Sequence, residues 1–289
     1  MHPQPLFHIF GQGVYAYGIC MAGGILVCFG FLLLTMWYKN FNEEATDKIL
    51  LIGLFGTGFG IFAAMLFQSV YNYIDNPAAG FHLGGMTFIG GLIGGVGSFL
   101  AVWNLYVYVI APRAKSKLLT NNMNAGLSDA LPFIPIGIAL AHGFGRLGCL
   151  FAGCCYGVEA TDGVWGLPCK AYSSVLYVPT QLYEMLFLFV LAGVMAVLYF
   201  ECKHYYNFGI YAIAYGAWRF GIEFIRGDER GEIFPGALIS PSQFWSIFMV
   251  ILGVGYIFLQ IFVLSKLMKH PELQPRIKKQ KKTPEEKEA

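Results

Sequence analysis

The chain has 289 residues, of which 56% are hydrophobic and 12% charged, with a mean hydropathy of +0.57. A soluble domain carries about a quarter of its residues as charged side chains, so this composition excludes an ordinary water-solvated fold and requires lipid as solvent. The formal net charge of +2 gives no basis for nucleic-acid binding.

In chain order, seven apolar runs approach the roughly 20 residues that cross a bilayer: 14–36, 49–74, 87–111, 129–152, 179–200, 208–224 and 240–265. The first follows no basic segment and ends in no small-residue cleavage site, so it is expected to be a retained span and not a removed signal peptide. The expected fold is an all-α membrane protein, a polytopic bundle of about seven transmembrane helices with short extracytoplasmic loops. It forms one unit over 1–265. A basic, charged and Pro-containing tail over 266–289 is expected to be disordered and cytoplasmic.

Alternation of the spans puts Lys39, Lys48, Arg113, Lys115, Lys117, Lys203 and the tail cations Arg276, Lys278, Lys279, Lys281 and Lys282 on one side. Only Lys170, Arg226 and Arg230 fall on the other. The basic side is cytoplasmic by the positive-inside rule. The N-terminus is then outside, as are the ends of the fourth and sixth spans, and the tail is suited to anionic membrane lipids.

Small residues recur at i, i+4 in Gly53–Gly60 and Gly90–Gly97, the spacing that lets helix backbones approach closely. The segment GTGFG over 56–60 follows no strand of a βαβ unit, so it is not a dinucleotide fingerprint. Pro179-Thr180-Gln181 and Pro241-Ser242-Gln243 each open a run with a hydroxyl residue able to cap a helix, followed by an interfacial aromatic.

Arg146 ends the fourth span, with His142 four residues earlier on the same helical face. An intramembrane arginine marks a functional site by default, against the alternative of a side chain snorkelling to the interface. Arg219, Glu223 and Arg226 share one face of the sixth span, where Glu223 can neutralise one arginine and leave the other for an anion. The alternative is a structural ion pair. A guanidinium matches phosphate bidentately, and two arginines meeting at the outer leaflet from different spans suit a phospholipid headgroup.

Of seven cysteines, Cys20, Cys28 and Cys202 read as small hydrophobes in spans or at the cytoplasmic rim. Cys149, Cys154, Cys155 and Cys169 fall outside, where disulfides form. Their C-x4-C-C spacing lacks the paired C-x-x-C of common zinc sites, so neither a metal nor another cofactor is expected. A structural disulfide is expected instead, most simply Cys169 with Cys154 or Cys155, fastening the 153–178 loop. Catalytic thiol chemistry stays open.

The stretch GRLGCLFAGCCYG over 145–157 resembles the signature of the bacterial prolipoprotein diacylglyceryl transferases, Gly-Arg-x-Gly-Asn-x-x-Asn-Gly-Glu-x-x-Gly, at Gly145, Arg146, Gly148, Gly153 and Gly157. Further matches follow in order: Tyr17-Gly18, Gly84-Gly85-Met86-Thr87-Phe88 with Gly90-Gly91-Leu92, Pro179 to Glu184, and Arg219-Phe220 with Glu223-Phe224 and Arg226. Cys149, Ala152 and Cys154 stand where the signature has Asn, Asn and Glu, and Ile89 and Val178 stand where the family has histidines.

The resemblance implies an enzyme that transfers the diacylglyceryl group of phosphatidylglycerol to the thiol of a lipobox cysteine in a lipoprotein precursor. A thioether forms and glycerol phosphate leaves, at the outer face of the bacterial cytoplasmic membrane. Arg146 and Arg226 would stabilise the leaving phosphate and Tyr17 would orient the headgroup. Gly145, Gly148, Gly157, Tyr183 and Glu223 would surround the substrate. With Ile89 unable to take a proton, His142 is the first candidate base and His82 the second. A transporter or lipid flippase would place charges nearer mid-membrane, between related halves. A membrane thiol oxidoreductase would use the outer cysteines, without the usual C-x-x-C.

Overall fold

A segment in lipid must satisfy its backbone N–H and C=O groups within itself, which leaves the helix as the spanning structure for apolar runs of this length. The computed structural model describes residues 4–83, 85–110, 127, 129–161, 163–168, 175–227 and 239–264. Among them are seven α-helices: α1 (Ala16–Tyr38), α2 (Glu43–Asp75), α3 (Phe88–Leu105), α4 (Ile134–Ala152), α5 (Thr180–Phe200), α6 (Asn207–Ile222) and α7 (Pro241–Leu259). Six are long and apolar enough to cross a bilayer. The 16 residues of α6 are extended by a 3-10 turn at Glu223–Ile225. The protein is therefore an all-α, multi-pass membrane protein, as its hydropathy predicts.

Local chemistry moves several boundaries. Helix α2 begins at Glu43, ahead of its apolar run, because the Asn42 side chain accepts hydrogen bonds from the Glu44 and Ala45 amides at 2.9 and 3.3 Å. Helix α7 is capped by Ser240 and not by the expected Ser242: Ser240 Oγ accepts from the Gln243 amide at 3.2 Å, and Gln243 Oε1 accepts from the Ser240 amide at 3.0 Å. Pro241, suited to the first helical position, sets the cap on Ser240, two residues before Ser242. Thr180 does not cap α5 either. Its buried hydroxyl takes a partner in the preceding loop.

An antiparallel hairpin, β1 (Phe7–Ile9) with β2 (Gln12–Val14), precedes α1 and pairs Phe7 with Val14 and Ile9 with Gln12. Its turn residues Phe10 and Gly11 have φ of 50° and 78°, the left-handed pair that two-residue hairpins use. Hydropathy gives no sign of it, since three-residue strands are too short for alternation to register.

Helix α2 packs on α3, α1 on α4, α4 on α5 and α6 on α7. The glycine runs form the α2–α3 seam as their spacing predicts: a Cβ on Gly60 would meet Gly91 O and Gly95 Cα at 3.0 Å. On the α1–α4 seam, a Cβ on Gly148 would lie 3.1 Å from the Tyr17 ring. Met36, Phe133, Ile136 and Met195 fill the interior, while large apolar side chains such as Leu26, Trp37 and Val190 face outward, as lipid permits. The tail over 266–289, the cations Arg113, Lys115, Lys117, Lys170 and Arg230, and Cys169 lie outside the described residues.

Candidate active site

Arg146, near the C-terminal end of α4, points at α5. Its Nη2 lies 3.1 Å from Oε1 of Glu184, a carboxylate with no solvent exposure. The Tyr215 hydroxyl of α6 donates to the same oxygen at 2.8 Å and accepts from Arg146 Nη2 at 3.4 Å. One turn before Arg146, His142 Nδ1 is 3.0 Å from the Tyr211 hydroxyl, and its ring packs edge-on against Tyr215. His142 and Arg146 thus serve one network, on the shared face that their spacing predicts. Burial of these charges is sustained by pairing, since an isolated ion in this environment would cost several kcal/mol.

The second constellation closes at the end of α6. Glu223 Oε2 lies 2.6 Å from Arg219 Nη2 and 3.9 Å from Arg226 Nε, so the carboxylate is committed to Arg219 and only loosely engages Arg226. Ser242 Oγ accepts from Arg219 at 3.0 Å, and Ser240 Oγ donates to Glu223 Oε1 at 2.9 Å. The start of α7 therefore holds the end of α6. Arg226 is placed by a backbone junction: it bridges to Gly157, the Gly157 amide donates to Val178 O at 2.8 Å, and the Val158 amide donates to Ile225 O at 2.9 Å. A Cβ on Gly157 would sit 2.6 Å from Ile225 O, so this junction admits only glycine. Gly145 has no such constraint, with its nearest contact Met21 Sδ at 3.8 Å.

Between the two constellations lies the thiol cluster. Helix α4 ends at Gly153 in the left-handed region (φ 70°), and Cys155 is left-handed as well (φ 62°). These two turns fold Cys154 and Cys155 back on Cys149, and the three Sγ atoms lie within 4.8 Å of one another. Gln181 Nε2 donates to Cys154 O at 2.6 Å and Thr180 Oγ1 to Cys155 O at 2.7 Å, which clamps the turn to α5. Hydrogen bonds from Cys149 and Cys154, with a further one from Arg226, hold the Cys155 thiol well below its usual range. Tyr17 of α1 packs its ring against Gly148, on the same end of α4 as Arg146 and Cys149.

Three guanidiniums face two carboxylates in this network, and Arg226 also meets the Cys155 thiol. Arg146 Nε and Arg219 Nη1 are buried donors with no hydrogen-bond partner among the described residues. A buried unpaired donor carries a penalty that a bound acceptor removes. Tyr183 instead lines an apolar groove of about 320 Å3 with Ala217, Trp218, Gly221, Ile222 and Ile225. His82 is exposed, its Nδ1 3.2 Å from Gly80 O.

The sequence reading missed Glu184, Tyr211 and Tyr215 as partners of Arg146 and His142. Glu184 carried a usable signal, being a carboxylate inside an apolar run. The tyrosines carried none, because buried and interfacial tyrosines look alike in sequence. It also missed that C-x4-C-C brings three thiols together, since spacing rules assume ordinary turns and Cys155 adopts one that non-glycine residues rarely use.

A sequence profile of the family described as prolipoprotein diacylglyceryl transferase matches residues 4–259. A phosphatidylglycerol–prolipoprotein diacylglyceryl transferase of Clostridium tetani is 34% identical over 86% of this chain and 94% of its own length. A second protein of that name, from Clostridium perfringens, is 31% identical over 86% of this chain and 92% of its own length. One from Dehalococcoides mccartyi is 30% identical over 77% of this chain and 82% of its own. No solved structure matches. These matches lend no support to the transporter or oxidoreductase alternatives. With its buried arginine network set in a bundle of apolar helices, the chain belongs to the prolipoprotein diacylglyceryl transferase family.

Proposed function

We propose that the substrates named for the relatives, phosphatidylglycerol and a prolipoprotein, are those of this chain, and that the arginine network is where the lipid phosphate sits. The acceptor is the thiol of a lipobox cysteine. Its sulfur attacks the glycerol carbon of the diacylglyceryl group as the carbon–oxygen bond breaks, and glycerol phosphate departs with the bonding electrons. Negative charge therefore grows on phosphate oxygens during the step. Preorganised cations in a water-poor site lower that barrier more than they could in water.

The observation that carries this reading is the excess of guanidinium over carboxylate, with the buried donors Arg146 Nε and Arg219 Nη1 awaiting an acceptor. Arg146 and Arg226 stabilise the leaving phosphate. Glu184 and Glu223 hold the guanidiniums in position, and Tyr17 orients the headgroup. Gly148 lets Tyr17 approach α4, Gly157 fixes Arg226, and Gly145 flanks the arginine on the substrate side. The groove beside Tyr183 accepts an acyl chain. His142, held by Tyr211, takes the proton of the acceptor thiol. The N-terminus and the thiol cluster face outside the cytoplasmic membrane, and the basic tail faces the cytoplasm against anionic lipid.

The test is direct. Purified protein is incubated with labelled phosphatidylglycerol and a lipobox peptide, and thioether-linked diacylglyceryl peptide and free glycerol phosphate are measured. Equimolar appearance of both is expected. Release of glycerol phosphate without a thioether product would overturn the acceptor assignment, and no product of either kind would overturn the reaction.

A further inference from the structure

We propose that Cys149, Cys154 and Cys155 form a three-thiolate zinc site whose open fourth position takes the acceptor thiol; this deepens the transferase reading and rests on it. Tetrahedral zinc with bonds of about 2.3 Å to sulfur separates its thiolates by about 3.8 Å. The three Sγ atoms already lie within 4.8 Å of one another, so side-chain adjustments of about 1 Å close the set. Three soft thiolates select a d10 ion such as zinc. Three protein ligands with one open position are the arrangement of a catalytic zinc site and not of a closed structural one.

The backbone is built for this convergence. Left-handed Gly153 and Cys155 fold the turn back on α4, and the buried Gln181 and Thr180 side chains lock the carbonyls of the last two ligands. Such supporting hydrogen bonds do for a ligand set what outer-shell partners do at known metal centres. Cys154 is exposed, so an incoming peptide thiol can reach the open position. Arg226 hydrogen-bonds Cys155, which sets the fourth position beside the phosphate-holding arginines and offsets the negative charge of a three-thiolate unit.

The chemistry answers a need of the reaction. A free cysteine with a pKa of about 8.5 is mostly thiol at neutral pH, whereas a thiol coordinated to zinc is deprotonated outright. On coordination the acceptor would lose its proton through water to His142. A lone pair of the coordinated sulfur would then form the bond to the glycerol carbon, and the carbon–oxygen electrons would leave on glycerol phosphate. The neutral thioether is a poor ligand and dissociates, which reopens the site.

The full chain, purified in detergent, is assayed for zinc by elemental analysis and titrated with Cd2+, whose thiolate charge-transfer band reports the number of sulfur ligands. One metal per chain bound by three sulfurs is expected, with a fourth sulfur added by a lipobox peptide and not by its serine analogue. C149S and C154S are expected to weaken metal binding by more than the roughly 10–100-fold that loss of an outer-shell partner costs, whereas C202S retains it. Chelation of the wild-type chain, which needs no substitution, is expected to abolish transfer, and zinc to restore it. Absence of stoichiometric metal binding, a site insensitive to C149S, loss of metal in C202S, or full transfer by chelated protein would each overturn the zinc site while leaving the transferase reading standing. Metal binding with no thioether product from any peptide would overturn both.

Discussion

Glu184 is the residue through which α4, α5 and α6 meet, because Arg146 and Tyr215 converge on one of its oxygens. Replacing it with glutamine keeps the shape and removes the charge, leaving Arg146 buried beside a neutral amide. Loss of one partner of a buried pair costs about 3–5 kcal/mol, so E184Q is expected to lower the thermal unfolding midpoint of the detergent-solubilised protein and to impair transfer together. R146Q and R226Q are expected to reduce transfer by about 100-fold or more, the scale of one lost charge-stabilising group, with membrane insertion intact. A folded, inserted R226Q protein with undiminished transfer would remove the phosphate site. H142Q should lose about 100-fold or more of the rate at neutral pH, the scale of a lost general base, and an undiminished rate in H142Q would exclude the assignment.

At the scale of elements, glycines divide into those that pack helices and those that place a functional group. Gly60 belongs to the first kind, wedged against Gly91 and Gly95 on α3. G60V is expected to destabilise the bundle by about 1–3 kcal/mol, read as a lower unfolding temperature, while folded protein keeps its rate. Gly157 belongs to the second kind. A side chain there strikes Ile225 O and Val178 O and forces the junction that carries Arg226 apart, so G157V should lose transfer even in the protein that remains folded. Equal effects of both substitutions on both measurements would contradict this division. The seam was legible from the i, i+4 spacing, whereas the junction was not, because it joins 157, 178 and 226 across two loops.

For the whole molecule, the distribution of lysine and arginine predicts the N-terminus outside and the tail inside. Reporter fusions at either end measure this, with activity of an extracytoplasmic reporter at the N-terminal end and a cytoplasmic one at the C-terminal end expected. The reverse pattern would put the arginines on the wrong face for a secreted precursor. Such an orientation also gives the short α6 a role: with its 3-10 turn it ends at the rim, where Arg226 meets the loop carrying the thiols.

Composition and local period are enough to fix the helices and the faces they present. Apolar runs near bilayer length dictated the helices, since lipid leaves the backbone no other partner. The i, i+4 spacing dictated that His142 and Arg146, and Arg219 and Glu223, share helical faces, whereas Arg226 leaves the helix in extended backbone and is placed by Gly157. Tertiary structure alone decided the partners: which carboxylate neutralises which guanidinium, why Thr180 and Gln181 bind a loop and not a helix end, and how three cysteines meet. Those outcomes depend on side chains brought together from segments tens of residues apart, and on a left-handed backbone at Cys155 that packing over α5 sustains. No local rule of spacing encodes such contacts, because each is fixed by the position of another helix.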